Sequence, residues 1–179
     1  MNRNDIDTAI SNYATLLDSA TPADTALAGA WYNEAHDIAK SMSNLSGLTI
    51  EKCASVIAAF SPRERWNTNV KYANMFINGG TPPTLTNNIN MAYAAMSLGF
   101  DALNGRKTNA FARNIAGDKD AVTIDVWMIR AAGMDANKGV NDTEYRILSE
   151  VVKELAANRN MYPATAQALI WIIVRGNHA

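Results

Sequence analysis

The sequence predicts an all-α fold, a compact bundle of about nine helices in one domain of 179 residues. Apolar residues recur at three-and-four spacing along the whole chain, while Val, Ile, Thr and aromatic residues rarely alternate with polar ones. Apolar residues make up 48% and charged residues 18%, a balance that suits a buried core and excludes a disordered or strongly charged segment.

The first helix is expected over about Ile6–Ser19. Thr21 followed by Pro22 is a cap and first-turn signal for a second helix reaching about Met42. These helices make residues 1–48 a helical cap on a core of residues 49–179. Thr49 can cap a third helix whose apolar face is Cys53, Val56, Ile57 and Phe60. Ser61-Pro62 ends it, because the residue before a proline is pushed out of helical geometry. Glu64 to Ile77 reads as the next helix, and Asn78-Gly79-Gly80-Thr81-Pro82-Pro83 is the clearest loop. Helices follow near Asn88–Leu98, Arg106–Ala116, Ile124–Ala132 and Asp142–Asn158, the last with a stripe of Tyr145, Leu148, Val152 and Leu155. The final helix follows Pro163. Its run Ala168–Val174 is apolar on all sides, which predicts a place in the middle of the bundle.

Several function classes fall away. Cys53 is the only cysteine, so an intramolecular disulfide and a four-thiolate iron–sulfur cluster are excluded, and a buried structural thiol is expected. His36 and His178 have no second ligand at zinc-motif spacing, so no metal and no cofactor is expected. The longest apolar run, Leu169–Val174, is far short of the roughly 20 residues of a membrane span. Met1–Asp5 do not open a signal peptide, which makes the cytoplasm the simplest location. The phosphate-binding Gly-x-x-x-x-Gly-Lys loop, the dinucleotide Gly-x-Gly-x-x-Gly element and the Gly-x-Ser-x-Gly elbow are all absent.

Charge is uneven. Residues 1–48 hold six acidic and two basic side chains, and residues 49–179 hold 11 acidic and 14 basic. The surplus gathers around Arg63, Arg65, Lys71, Arg106, Lys107 and Arg113, which could form a phosphate-facing patch or an ordinary solvated surface.

Two short segments carry the chemistry. Leu103-Asn104-Gly105-Arg106-Lys107-Thr108 is a glycine-bearing turn between helices, where first-turn N–H groups can bind a phosphate and Lys107 opposes the helix dipole. A surface lysine after a turn is the plainer reading. Eighteen residues later, Val122-Thr123-Ile124-Asp125-Val126-Trp127 sets a carboxylate in an apolar stretch. Asp125 reads most simply as the N-cap of the helix that follows, a role compatible with facing a substrate.

These segments resemble the helix-hairpin-helix (HhH-GPD) DNA glycosylase superfamily, base-excision enzymes of the endonuclease-III-like type. That family has a Leu-Pro-Gly-x-Gly-x-Lys-Thr-Ala hairpin and, at the same lysine-to-aspartate spacing, a Val-Asp-Thr-His-type segment followed by an arginine; here that segment is Ile124-Asp125-Val126-Trp127-Met128-Ile129-Arg130. Val56 to Pro62 is similar to its helix entering the base pocket, and Ala168 to Gly176 to its last core helix, after which many members carry cluster cysteines. The resemblance covers residues 49–179 and implies a helix-hairpin-helix element in a form without the cluster. Leu103-Asn104 stands where the first hairpin glycine is expected, and Val126 and Trp127 stand in place of threonine and histidine. The Ser-Pro-Arg-x-x-Trp and Thr-Ile-Asp-Val-Trp patterns also resemble short phage-encoded proteins, for which the location is the host cytoplasm.

The resemblance implies DNA glycosylase activity with AP-lyase action on duplex DNA holding a damaged or modified base. Lys107 would attack the sugar C1′ as a neutral amine and form a Schiff base, and Asp125 would stabilise the positive charge developing on the sugar. Asn104, Gly105, Arg106, Thr108 and Arg113 would contact DNA. A flipped base needs stacking and hydrogen-bonding groups, for which Ser61, Arg63, Glu64, Trp66, Asn67, Trp127 and Gln167 are the candidates. For Trp66 the plainer role is packing one helix on another, with Asn67 and Asn69 solvated; Trp171 reads as core. Two readings of other classes stay open: an inert DNA-binding or host-protein-binding module, and a DNA base-modifying transferase.

Overall fold

The computed structural model describes residues 1–176, and His178 lies outside them. Among the described residues there are nine α-helices, one short 3₁₀ helix and no strand. The helices are α1 (Arg3–Asp18), α2 (Pro22–Ser46), α3 (Ile50–Ala59), α4 (Trp66–Ile77), α5 (Thr86–Leu98), α6 (Arg106–Ala116), α7 (Val126–Ala131), α8 (Asp142–Ala157) and α9 (Pro163–Arg175); the 3₁₀ turn Gly99–Ala102 joins α5 to α6. The chain divides into two compact units, one of Met1–Tyr32 with Lys119–Ala179, the other of Asn33–Asp118. The division falls inside α2, so residues 1–48, expected as one cap, are shared between the units.

In the first unit α1, α7, α8 and α9 pack on one another around Ala9, Tyr13, Met128, Leu148, Val152, Leu169 and Ile170. Their ends are set by local hydrogen bonds. Asn141 and Glu144 form a reciprocal capping box at α8, Asn2 and Asp5 form another at α1, and Pro163 opens α9 at its first turn. The fully covered part of α9 is residues 166–170, earlier than expected. Trp171, Ile173 and Val174 are only half-buried.

The second unit is built on α3, against which α4, α5, α6 and the 3₁₀ turn pack. Thr49 caps α3 through the Lys52 N–H, as expected. Residues 53–60 are all buried, so α3 has no solvent face at all over two turns. The expected apolar face accounts for Cys53, Val56, Ile57 and Phe60; the opposite side closes because Ala54, Ser55, Ala58 and Ala59 are small enough for neighbouring helices to approach. Burial pushes the Cys53 thiol up, partly offset by the Ser46 hydroxyl. The helix expected from Glu64 starts two residues later, after a turn in which the Glu64 N–H donates to the Ser61 carbonyl and Arg63 sits at φ +68°.

Two caps carry a pH signature. Asp24 at the start of α2 is held below the usual carboxylate range by the Thr21 hydroxyl and backbone N–H, and Glu144 by the Asn141 N–H and then the chain's amino group. A carboxyl depressed in the folded state adds stability above its unfolded value and loses it as pH falls through the folded one. Helicity measured by far-UV circular dichroism is therefore expected to fall on acidification below the ordinary carboxylate range. Thr21→Val together with Glu144→Gln should flatten that dependence, the first by removing the hydroxyl that holds Asp24 down and the second by removing the titrating carboxyl.

Candidate functional site

Asp125 sits at the end of a short buried segment, Val122, Thr123 and Ile124, held to α8 by Tyr145. The Tyr145 hydroxyl donates to the Val122 carbonyl at 3.0 Å and accepts the Ile124 N–H at 3.1 Å. This pins the backbone one residue before the carboxylate. Asp125 is the N-cap of α7, and its Oδ1 accepts from the Trp127 and Met128 N–H groups at 2.9 and 3.0 Å. Its Oδ2 accepts from the Trp171 indole Nε1–H of α9 at 3.1 Å. A carboxylate offers about four acceptor positions, so three N–H donors leave room for one more partner at this half-buried group.

The surroundings of Asp125 are aromatic. Trp171 packs against Trp31 of α2 with ring centres 5.4 Å apart, and the Arg175 guanidinium lies 4.7 Å from the Trp171 ring centre. Arg130 covers Trp127 in the same way at 4.8 Å. The Tyr32 hydroxyl donates to Gln167 Oε1 at 2.7 Å, and Gln167 is buried. Burial pushes the Tyr32 phenol well above its usual range; the Thr123 hydroxyl partly lowers it, and Asp125 and Tyr145 raise it further. Burial and then Asp125 do the same to Tyr13, whose hydroxyl donates to the Met128 carbonyl at 2.8 Å. Both phenols therefore stay neutral donors at physiological pH.

Lys107 belongs to the second unit, in the first turn of α6. The turn before it is stapled by Asn109, whose Nδ2 donates to the carbonyls of Phe100 and Leu103 at 3.0 and 3.2 Å and whose Oδ1 accepts from Arg113 Nε at 2.9 Å. The Arg113 guanidinium also covers Phe100 at 4.7 Å. No side chain caps α6, whose first turn lies beside the exposed Asn104 and Gly105; Arg106 and Lys107 are exposed and Thr108 is half-buried. Gly105 itself has φ −77°, and a Cβ there would meet only Thr108 at ordinary contact distance. The glycine that the local backbone requires is Gly99, at φ +60°, where a Cβ would run into the Glu51 carboxylate that accepts the Phe100 N–H.

The expected pocket residues are distributed over both units: Ser61, Arg63, Glu64, Trp66 and Asn67 in the second, Trp127 and Gln167 in the first. Trp66 packs edge-on against Phe111, ring centres 6.3 Å apart, and so ties α4 to α6. Glu64 Oε1 accepts a long bond from the Thr84 hydroxyl at 3.4 Å, and Arg63 and Asn67 are exposed. Asn69, expected to be solvated, is buried at 2% exposure, because it shares the inward face of α4 with Ala73 and Phe76. The Ser61 hydroxyl and Asn69 Oδ1 are buried with no hydrogen-bond partner among the described residues. The basic residues anticipated as a patch, Arg63, Arg65, Lys71, Arg106, Lys107 and Arg113, are all exposed and all in the second unit. That unit has eight Lys and Arg against six Asp and Glu, net +2, and the first unit is net −3.

Four residues of the Asp125 site escape a reading of the sequence alone: Tyr32, Thr123, Tyr145 and Trp171. Only Trp171 left a signal there, since an indole N–H inside an apolar helix needs an acceptor when covered. Among the described residues no group of three His, Cys, Asp or Glu side chains is placed to hold a metal ion, and no helix is long and apolar enough to cross a membrane.

No curated protein and no solved structure matches the chain. One family model does, over residues 2–178, and the chain belongs to that family, DUF7178, described as a family of unknown function.

Proposed function

We propose that the protein is a DNA glycosylase of the helix-hairpin-helix type, with AP-lyase action and no iron–sulfur cluster or metal, acting on duplex DNA that carries a damaged or modified base. Its workplace is the cytoplasm, the host's if the protein is phage-encoded. The observation that supports this reading best is the Asp125 carboxylate, fixed by three N–H donors at the start of α7 and still half-accessible. A charge held in place before the reaction stabilises the cation developing at the sugar without reorganising. Lys107, whose first-turn position leaves it exposed, would supply the amine. Its nitrogen would bond to C1′ as the bond from C1′ to the base breaks, the base leaving with the electron pair and taking up a proton.

Borohydride trapping tests this. A covalent adduct is expected between the native chain and duplexes carrying damaged or modified bases, and Lys107→Ala should lose it entirely. The exposure of Lys107 and the small net charge of its unit favour one other reading, a binding module without catalysis. Salt-sensitive DNA binding with no adduct and no base release from any duplex would establish that module instead.

A further inference from the structure

We propose that Trp171 is a positioning residue, whose indole N–H locks the second oxygen of Asp125 so that the carboxylate presents one fixed negative charge to the reacting sugar. This rests on the reading of Asp125 as the charge-stabilising group of base excision. The two oxygens of Asp125 are held differently. Oδ1 is bound by amides of the helix it caps, which any N-cap aspartate achieves, and that contact alone leaves the other oxygen free to swing. Oδ2 is stopped by a donor from a different helix, 46 residues further along the chain.

The donor ring is itself packed by Trp31, ring centres 5.4 Å apart, and by the Arg175 guanidinium at 4.7 Å. A neutral N–H suits the task better than a cation, because a lysine or arginine in its place would cancel the field that the developing cation needs. The nearby guanidiniums lie on rings instead, Arg130 of α7 on Trp127 and Arg175 of α9 on Trp171, and among the described residues Asp125 makes no ion pair. The other titratable groups around it are phenols: Tyr13 from α1, Tyr32 from α2 and Tyr145 from α8. None of them carries a charge at neutral pH. The carboxylate is thus oriented entirely by neutral donors.

Trp171→Phe keeps the stacked ring and removes only the N–H. With a duplex substrate identified by base release, it is expected to lower kcat about tenfold and leave KM unchanged, the loss of one hydrogen bond to a charged group felt only in the transition state. A residue that merely fills space would leave kcat at saturating duplex unaltered, and that result would overturn the proposal. The second measurement needs no activity. The nitrogen–proton spectrum of the native chain should show an indole signal that disappears in Trp171→Phe and moves in Asp125→Asn; a Trp171 signal indifferent to Asp125→Asn would also overturn the proposal. Should Trp171→Phe fail to fold, the Trp171 indole signal is assigned in the native chain by through-bond experiments, and its failure to move in Asp125→Asn overturns the proposal. A native chain that releases no base from any duplex sinks the proposed function, while the indole signal still reports whether Trp171 holds the carboxylate.

Discussion

Asp125→Ala is expected to abolish base release and to lower the unfolding free energy by about 2–4 kcal/mol, read from the urea midpoint. Losing an N-cap costs about 1 kcal/mol, and leaving a covered indole N–H without its acceptor adds about 1–3 kcal/mol. Both act here, since α7 has only six residues and depends on Asp125 for its start, and Trp171 donates to the same side chain. Asp125→Asn separates the two consequences. It keeps an oxygen for the α7 amides and removes the charge, so it should cost about 1 kcal/mol in stability while still losing base release. An alanine variant as stable as the native chain would show that the carboxylate does not organise this part of the unit.

Phe60→Ala is expected to have the largest effect on stability of any single truncation in the second unit, about 3–5 kcal/mol. Phe60 is fully buried at the end of α3 and meets Phe76 and Tyr72 of α4 edge-on, with ring centres 5.4 and 6.4 Å away. Removing it leaves a hole under the corner where the chain turns from α3 into α4. The small residues around it are on a central helix packed by α4, α5, α6 and the 3₁₀ turn, so the site has little freedom to collapse. Amide hydrogen exchange should then show lost protection concentrated in residues 33–118, and exchange unchanged there would refute the assignment of Phe60 as a keystone of that core.

Much of the fold is legible because helices announce themselves locally. Thr49, Thr21-Pro22 and Pro163 mark starts through contacts only a few residues apart, and each does so in the structure. The covering of α3 was not legible from its apolar face, because nothing in a run of alanines and a serine says whether water or another helix lies beyond them. The candidate site divides the same way. Asp125 as a cap is a local event and could be anticipated, whereas the partners that finish its surroundings, Tyr32, Tyr145 and Trp171, come from three helices far apart in sequence. Asn69 departs from expectation for a related reason: asparagine is usually exposed, and only its register with Ala73 and Phe76 places it inside.

The way the chain is shared between its units sets an order of events during synthesis. Residues 33–118 form an uninterrupted stretch, so α3 can gather α4, α5 and α6 around itself while the ribosome is still producing the remainder. Helix α1 emerges before that stretch but waits longer, because its companions α7, α8 and α9 follow it; the bond from Tyr13 to Met128 alone spans 115 positions. Early-made α1, with Ala9, Tyr13 and Leu17 uncovered, is therefore the segment most in need of chaperone protection until α9 has been made.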